Sequence, residues 1–158
     1  MSTINPALFR RACGQFPTGV CIATTFDGVP HGLTVNSFTS VSLEPPVVLF
    51  CIDHSAAIRE VFRRRTHFAI NILGQHQQEI STAFAYRRDD RFEGVAWRPG
   101  VDSVPVIEGS VAAIECRLVE VVPVGDHDIF LGEAVAVSVE EGEPLVYARG
   151  GYAKLEGS

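Results

Sequence analysis

The sequence predicts a mainly β fold, an antiparallel barrel closed or nearly closed on itself, with two or three helices at its ends. Three observations lead there. Strand-like runs, either alternating or wholly apolar, recur from Val20 to Tyr152: VCIATTF, LTVNSFTSVSL, VVLFCI, HFAINIL, SVAAIECRLVEVVPV, HDIFLGEAVAVSVEE and LVYARGGY. Turn-forming pairs such as Asp27-Gly28 and Gly125-Asp126 separate them, and such short links suit antiparallel neighbours. Across the 158 residues there is no repeat, low-complexity stretch or linker, so one domain over residues 1–158 is expected. Closing its sheet would remove exposed edges.

Each element has a local reason. Asn5-Pro6 opens a helix, because Asn caps free amides and proline is at no disadvantage in the first helical position. Leu8, Phe9 and Ala12 form its apolar stripe, and it should end between Gly14 and Pro17. VCIATTF then forms a hairpin with LTVNSFTSVSL, read as one strand. Leu33, Val35, Val41 and Leu43 would face its core side, and Thr34, Asn36, Phe38, Ser40 and Ser42 the other, as a polar wall. Glu44-Pro45-Pro46 interrupts the ladder, since neither proline can donate, and VVLFCI resumes as a buried central strand. Ser55 is the expected cap of a helix carrying Ile58, Val61 and Phe62, with Arg63, Arg64 and Arg65 as its solvated end. HFAINIL is a strand, and Ile80, Ala83 and Phe84 mark a helix over residues 75–86. RRDDRFEG is a charged loop ahead of a short strand at VAWR. The two long runs near the end and LVYARGGY bring the count to six or seven strands.

Composition removes several functions. The net charge of -6 lacks the basic face that nucleic acid or an anionic membrane surface requires. Hydrophobic residues make up 46% of the chain and charged ones 20%, a balance that points to a buried subunit interface. The N-terminus has no apolar leader, and no run approaches the roughly 18 apolar residues of a membrane span, so a cytoplasmic protein is expected. Cys13, Cys21, Cys51 and Cys116 show no metal-binding spacing and read as buried, reduced thiols. His31, His67 and His76 lack mutual ligand spacing, so no metal is expected.

The chemistry-bearing residues are sparse and of one kind. G-x-G-x-x-G, P-loop, H-E-x-x-H and G-x-S-x-G motifs are all missing. What remains is the run Thr34, Asn36, Ser37, Thr39, Ser40, Ser42, a Gly-Asp-His at a hairpin, Arg91 in a loop, and the terminal Arg149-Gly150-Gly151-Tyr152. Exposed Ser and Thr are commonly just solvated, and His127 could simply occupy a turn. Asn36 stands apart: asparagine is disfavoured within strands, and its amide both donates and accepts, as the edge of a flavin ring requires. Arg91 could contact a phosphate in bidentate fashion. Together these groups suit a polar, planar, phosphate-bearing cofactor rather than a nucleophile with a base.

Taken in order, FRRACGQFPTGVCIAT, TVNSFTSVSLEPPVVLFCI, FAINIL, DDRFEGVAW, IEGSVAAIECRL, GDHDIFLGE and PLVYARGGY resemble the short flavin reductases of the flavin reductase-like, FMN-binding split-barrel family. The resemblance runs nearly end to end. It implies a six-stranded antiparallel split β-barrel (Greek key) with a few flanking helices. It also implies a homodimer and an NAD(P)H-dependent reduction of FMN or FAD that supplies a partner monooxygenase. By the same resemblance Asn36, Ser37, Phe38 and Thr39 would lie along the isoalloxazine. Ser40, Ser42, Asp53, Ser55, Ser81 and Arg91 would serve the ribityl chain and phosphate, with His127 and Arg149, Gly150, Gly151 and Tyr152 near the nicotinamide of NADH or NADPH. Arg91 stands where lysine is common in the family, which keeps the charge. The alternatives are a non-catalytic flavin- or haem-binding split barrel and, lower, an apolar ligand carrier that would leave the polar run unexplained.

Overall fold

The structure is a computed structural model and describes residues 3–86 and 89–157. Arg87 and Arg88, part of the charged loop expected from the sequence, lie outside the described residues. Helix α1 (Pro6–Cys13) begins as its sequence predicts: Asn5 Oδ1 accepts the backbone N–H of Ala7 (2.9 Å) and of Leu8 (3.3 Å). Its apolar stripe does not reach the core, for Leu8 and Phe9 are exposed. Among the described residues twelve strands follow: β1 (Thr18–Gly19), β2 (Cys21–Phe26), β3 (Pro30–Val35), β4 (Thr39–Leu43), β5 (Pro46–Asp53), β6 (His67–Ile72), β7 (Trp97–Pro99), β8 (Pro105–Ile107), β9 (Ala112–Val124), β10 (His127–Val139), β11 (Val146–Ala148) and β12 (Gly151–Ala153). Helix α2 (Arg59–Arg64) follows β5, and α3 (Gln78–Ala85) follows β6. Among the described residues no helix is long and apolar enough to cross a membrane.

Seven strands form one sheet in the order β3-β2-β6-β9-β10-β5-β4, every neighbour antiparallel. Its two edges, β3 and β4, are consecutive in the chain. Only Asn36, Ser37 and Phe38 separate them, so Val35 and Thr39 lie at most about 14 Å apart. The sheet must curl until its edges meet, yet β3 and β4 share no ladder among the described residues. That is a split barrel, with seven strands in the main sheet rather than six. The hairpins β7-β8 and β11-β12, the latter extended by β1, pack beside it.

LTVNSFTSVSL is therefore not one strand. Its first half pairs with β2 and its second with β5. Between them Ser37 Oγ accepts the N–H of Cys51 (2.9 Å), replacing a ladder bond at the break. A register shift between Ser40 and Ser42 turns β4 further. Val41 and Leu43, expected in the core, are exposed, Leu43 by 93%. β5 lies one strand in from the edge instead of at the centre. Ser55 does not cap α2; its own N–H is accepted by Asp53 Oδ1 (2.7 Å), and the helix starts at Arg59 without a side-chain cap. Cys13 is exposed, whereas Cys21 and Cys116 are buried and their thiols are pushed up to about 12 by desolvation.

The core has two parts. Phe50, at its centre, stacks on Phe130 (5.2 Å between ring centres) and meets Phe62 and Phe68 edge-on (5.6 and 5.0 Å). Val20, Ile22, Leu73, Phe84, Ile107 and Leu145 make the second. Buried Asn71 joins β6 to its neighbours. Its Nδ2 donates to the Ile22 carbonyl (3.0 Å) and Thr24 Oγ1 (3.2 Å), and its Oδ1 accepts the N–H of Ile107 (2.8 Å).

Helix α2 is held to the sheet by charge. Asp128, on β10 and 0% exposed, accepts from Arg59 Nε (2.5 Å) and Arg63 Nη1 (3.0 Å) and pairs with His54 Nε2 (2.9 Å). Arg63 and Arg65 are thus not merely a solvated helix end; Arg65 reaches Asp27 and Asp102 at 3.5 Å each. Above all the Arg59 hydrogen bond, and then those of Arg63 and His54, hold the Asp128 carboxyl far below the usual carboxylate range. A depressed native value stabilises the fold above the unfolded-state value and loses that contribution as pH falls beneath it. Wild-type stability in denaturant titrations should therefore drop as pH falls below about 4, and Asp128→Asn, less stable at neutral pH, should lack that part of the acid-induced loss.

Candidate functional site

β5 sets the spacing of most of the polar residues singled out above. In its register Ser42 stands opposite Val47, Ser40 opposite Val48 and Thr39 opposite Leu49. Ser37 is bonded to Cys51, and Asp53 stands opposite His127 of β10. Leu49 and Asp53 lie about 13 Å apart at the usual rise per residue. Asn36, Thr39 and Ser40 are exposed, while Ser37, Phe38 and Ser42 are half-buried. Phe38 anchors the strip by packing on the aromatic core. The amide of Asn36 makes no hydrogen bond among the described residues, which leaves its donors and acceptor to the surface.

At the far end of β5 two strand termini interlock. The N–H of His54 donates to the Asp126 carbonyl (2.8 Å), and His127 Nδ1 lies 2.7 Å from Asp126 Oδ1. Hydrogen bonds from the Ser55 backbone and hydroxyl, in that order, hold the Asp53 carboxyl below its usual value, and His127 does the same for Asp126. Asp53, Asp126 and His127 offer ligand atoms within 4.8 Å of one another. The histidine spacing read from sequence does not sample this corner. All three are exposed.

A groove of about 820 Å³ opens beside this corner. β3 and the residue before it, from Val29 to Thr34, form one wall, and Ala56 to Ile58 with Val61 form the other. Phe84, Ala85 and the loop from Asp89 to Glu93 complete it. Phe92 meets Phe84 edge-on at 4.9 Å. A Cβ at position 32 would lie 2.8 Å from Phe84 Cε1, so any side chain there would push the Phe84 ring aside. Arg91 lines the groove and ties its loop down: Nη1 donates to the Gly32 carbonyl (2.6 Å) and Nε to that of Tyr86 (3.1 Å). His31, also in the lining, is lowered by burial despite Asp27 nearby.

The remaining predicted residues form a separate group. Ser81 is 1% exposed, and its hydroxyl lies 2.7 Å from that of Tyr152, so it faces the protein rather than the groove. Arg149 and Gly150 form a left-handed turn (φ 52° and 78°), where the N–H of Arg149 donates to the Gly14 carbonyl (2.8 Å). Thr34 joins this group to the groove: it lines the wall and donates to the Ser81 carbonyl (2.6 Å). Sequence reasoning assigned Thr34 only to a polar face and passed over Asp128. A charge on the same parity as Phe130 in β10 is the signal that could have marked Asp128 as inward-facing.

Residues 13–156 match the model of the flavin reductase like domain. The chain is 37% identical, over 97% of its length and 84% of the relative's, to the flavin-dependent monooxygenase reductase subunit HsaB of Mycobacterium tuberculosis. It is also 41% identical to a protein of Rhizobium meliloti named as a probable flavin reductase, covering 94% of itself but only 48% of that longer relative. Among solved structures it resembles an NADH:FAD oxidoreductase of Streptomyces globisporus in complex with NAD and FAD fragments. That similarity has a TM-score of 0.92 at 35% identity and covers 98% of this chain and 97% of the other. A domain match over most of the chain, joined to a split barrel whose polar strip runs along β5, has one reading: this protein belongs to the flavin reductase-like domain family.

Proposed function

We propose that the chain, as one domain, is an NAD(P)H-dependent flavin reductase that passes a hydride from NADH or NADPH to FMN or FAD and supplies reduced flavin to a separate flavin-dependent monooxygenase. The observation that carries this reading is the polar strip from Asn36 to Ser42, held along β5, whose last residue Asp53 stands opposite His127; the strip follows directly on β3, whose Thr34 lines the groove, although no residue from Asn36 to Ser42 is in the lining. The residues fit such a ligand. The groove's volume lies within the usual range for small-molecule sites, and Val29, Leu33, Ile58, Val61 and Phe92 give it apolar walls for a ring system. Arg91 supplies a cation in the lining. The names of the relatives favour NADH as donor and both flavins as acceptors.

Bound flavin would supply the electron acceptor, and reduced nicotinamide the hydride. The protein's own share is positioning and exclusion of water. Exposed Asn36 offers an amide donor and acceptor to a ring edge, Thr39 and Ser40 offer hydroxyls, and the apolar wall keeps solvent from one side. His127, whose Nδ1 lies 2.7 Å from Asp126 Oδ1, would contact a nicotinamide amide. The exposed apolar residues of β4 and β10 support a homodimer. β10 runs past its last pairing with β5 at Glu133, and its exposed Val135, Val137 and Val139 follow there, beside the hairpin that exposes Leu43.

Purified protein mixed with FMN or FAD and each nicotinamide should consume the reduced pyridine's absorbance; no turnover with any pair would leave the non-catalytic flavin- or haem-binding reading. Asn36→Ala should weaken FMN binding about tenfold in fluorescence titration without lowering stability, since its amide makes no hydrogen bond among the described residues. Leu43→Asp should shift the sedimentation coefficient from dimer to monomer, because a charge would be buried unpaired in the interface.

A further inference from the structure

Directly behind the exposed Asp53–His127 pair lies a charge that the proposed chemistry does not use. Successive strand residues point to opposite faces, so His127 and Asp53 look outward while Asp128 and its partner Ile52 look inward. Asp128 gathers three cationic or cation-capable groups, His54 from the corner and Arg59 and Arg63 from α2. Glu60, exposed on the same helix, contacts both arginines from the solvent side, at 3.2 and 3.9 Å. Helix α2 has six residues, no side-chain cap, and Phe62 as its one buried side chain. A helix this short has no stability of its own in water, so tertiary contacts must hold it.

Burying a charge is a poor way merely to attach a helix, since apolar residues of similar volume hold as well or better. What an ionic contact adds is direction. Guanidinium groups bond along fixed N–H vectors, so two of them on one carboxylate set the rotation and height of α2 as well as its presence. Val61 lies on this helix, and Ala56 to Ile58 lead into it; all of them line the groove. His54, the third partner, sits between Asp53 and Ser55.

We propose that Asp128 is a positioning residue: its carboxylate clamps α2 and the corner from Asp53 to Ile58 against β10, and so sets the groove's second wall and the placement of Asp53 and His127. The link to ligand binding rests on the flavin reductase reading above. The clamp itself does not.

The test compares FMN binding and steady-state kinetics in wild type, Asp128→Asn, Arg59→Met and Arg59→Lys. Asp128→Asn and Arg59→Met should raise the Kd for FMN and the flavin KM about tenfold, with kcat at saturation within about twofold, and Arg59→Lys, which keeps the charge but not the fixed guanidinium geometry, should recover only part of the loss. Glu60→Gln, on the exposed side, should leave both unchanged. Variants that lose thermal stability yet bind FMN with the wild-type Kd on their folded fraction would overturn the proposal. Should Asp128→Asn not fold, Arg63→Gln, which keeps the other two partners, should still raise the Kd about threefold, and an unchanged Kd would count against the clamp. If wild type binds neither FMN nor FAD, the functional reading fails. The clamp then stands or falls on amide hydrogen exchange, which in Arg63→Gln should quicken across residues 54–64 and not in β6.

Discussion

The span of Asn36, Ser37 and Phe38 between the two edges of a seven-stranded sheet limits the rest of the structure. So short a link cannot cross a flat sheet, since five intervening strands at about 4.8 Å spacing would place the edges far beyond its reach. The sheet has to curl, and the point of closest approach is fixed at the link. Phe38 packs its ring into the core there, and the Ser37 hydroxyl takes the Cys51 N–H that no strand partner meets. Curling also brings β3 toward the segment after β5, and the groove forms in the gap. The cleft and the polar strip therefore share one cause, an edge-to-edge crossing made in the fewest residues.

β10 shows how one strand serves both sides of such a sheet. Its inward residues run Asp128, Phe130, Gly132. The first holds α2, the second fills the aromatic core, and the third is absent of side chain because the rings of Phe68 and the Cβ of Cys116 occupy the space a Cβ would need. Its outward residue at the start is His127, within reach of Asp126. A period of two makes this division possible: the outward face and the face that meets the core are specified by alternate residues. Changes on one face reach the other only through backbone position, which is why a buried carboxylate can matter to an exposed histidine without touching it.

Much of the fold was legible from local signals. Asn5-Pro6 started the first helix, Asp27-Gly28 and Gly125-Asp126 turned the hairpins, and the prolines after Glu44 began β5. These are short-range effects of backbone geometry. The misreadings all involve partners distant in sequence. Period-two alternation looks continuous through LTVNSFTSVSL, because it says nothing about which strand lies alongside; the change of partner and the shift at Ser40 reversed the facing of Val41 and Leu43. Ser55 resembles a cap, yet Asp53 two residues earlier takes that corner's N–H. The polar strip was visible because hydroxyls crowd an otherwise apolar region. The groove was not, since Gly32, Ile58, Phe84 and Phe92 are ordinary core-like residues until folding assembles them.

Charge explains the manner in which such a site would hold an anionic ligand. The chain carries a net charge of -6, and among the described residues the groove's loop places Asp89, Asp90 and Glu93 around Arg91. Arg91 itself donates to two backbone carbonyls, so part of its hydrogen-bonding capacity is spent on the loop. Among the described residues, a phosphate there would meet one guanidinium beside three carboxylates. Burying an apolar ring against the walls, and neutral hydroxyl and amide contacts along the strip, would add affinity, each contact of modest net value in water. In the proposed function this is an advantage: reduced flavin has to leave for another protein, and a grip built on ring burial and neutral hydrogen bonds releases its ligand more readily than one built on paired charges.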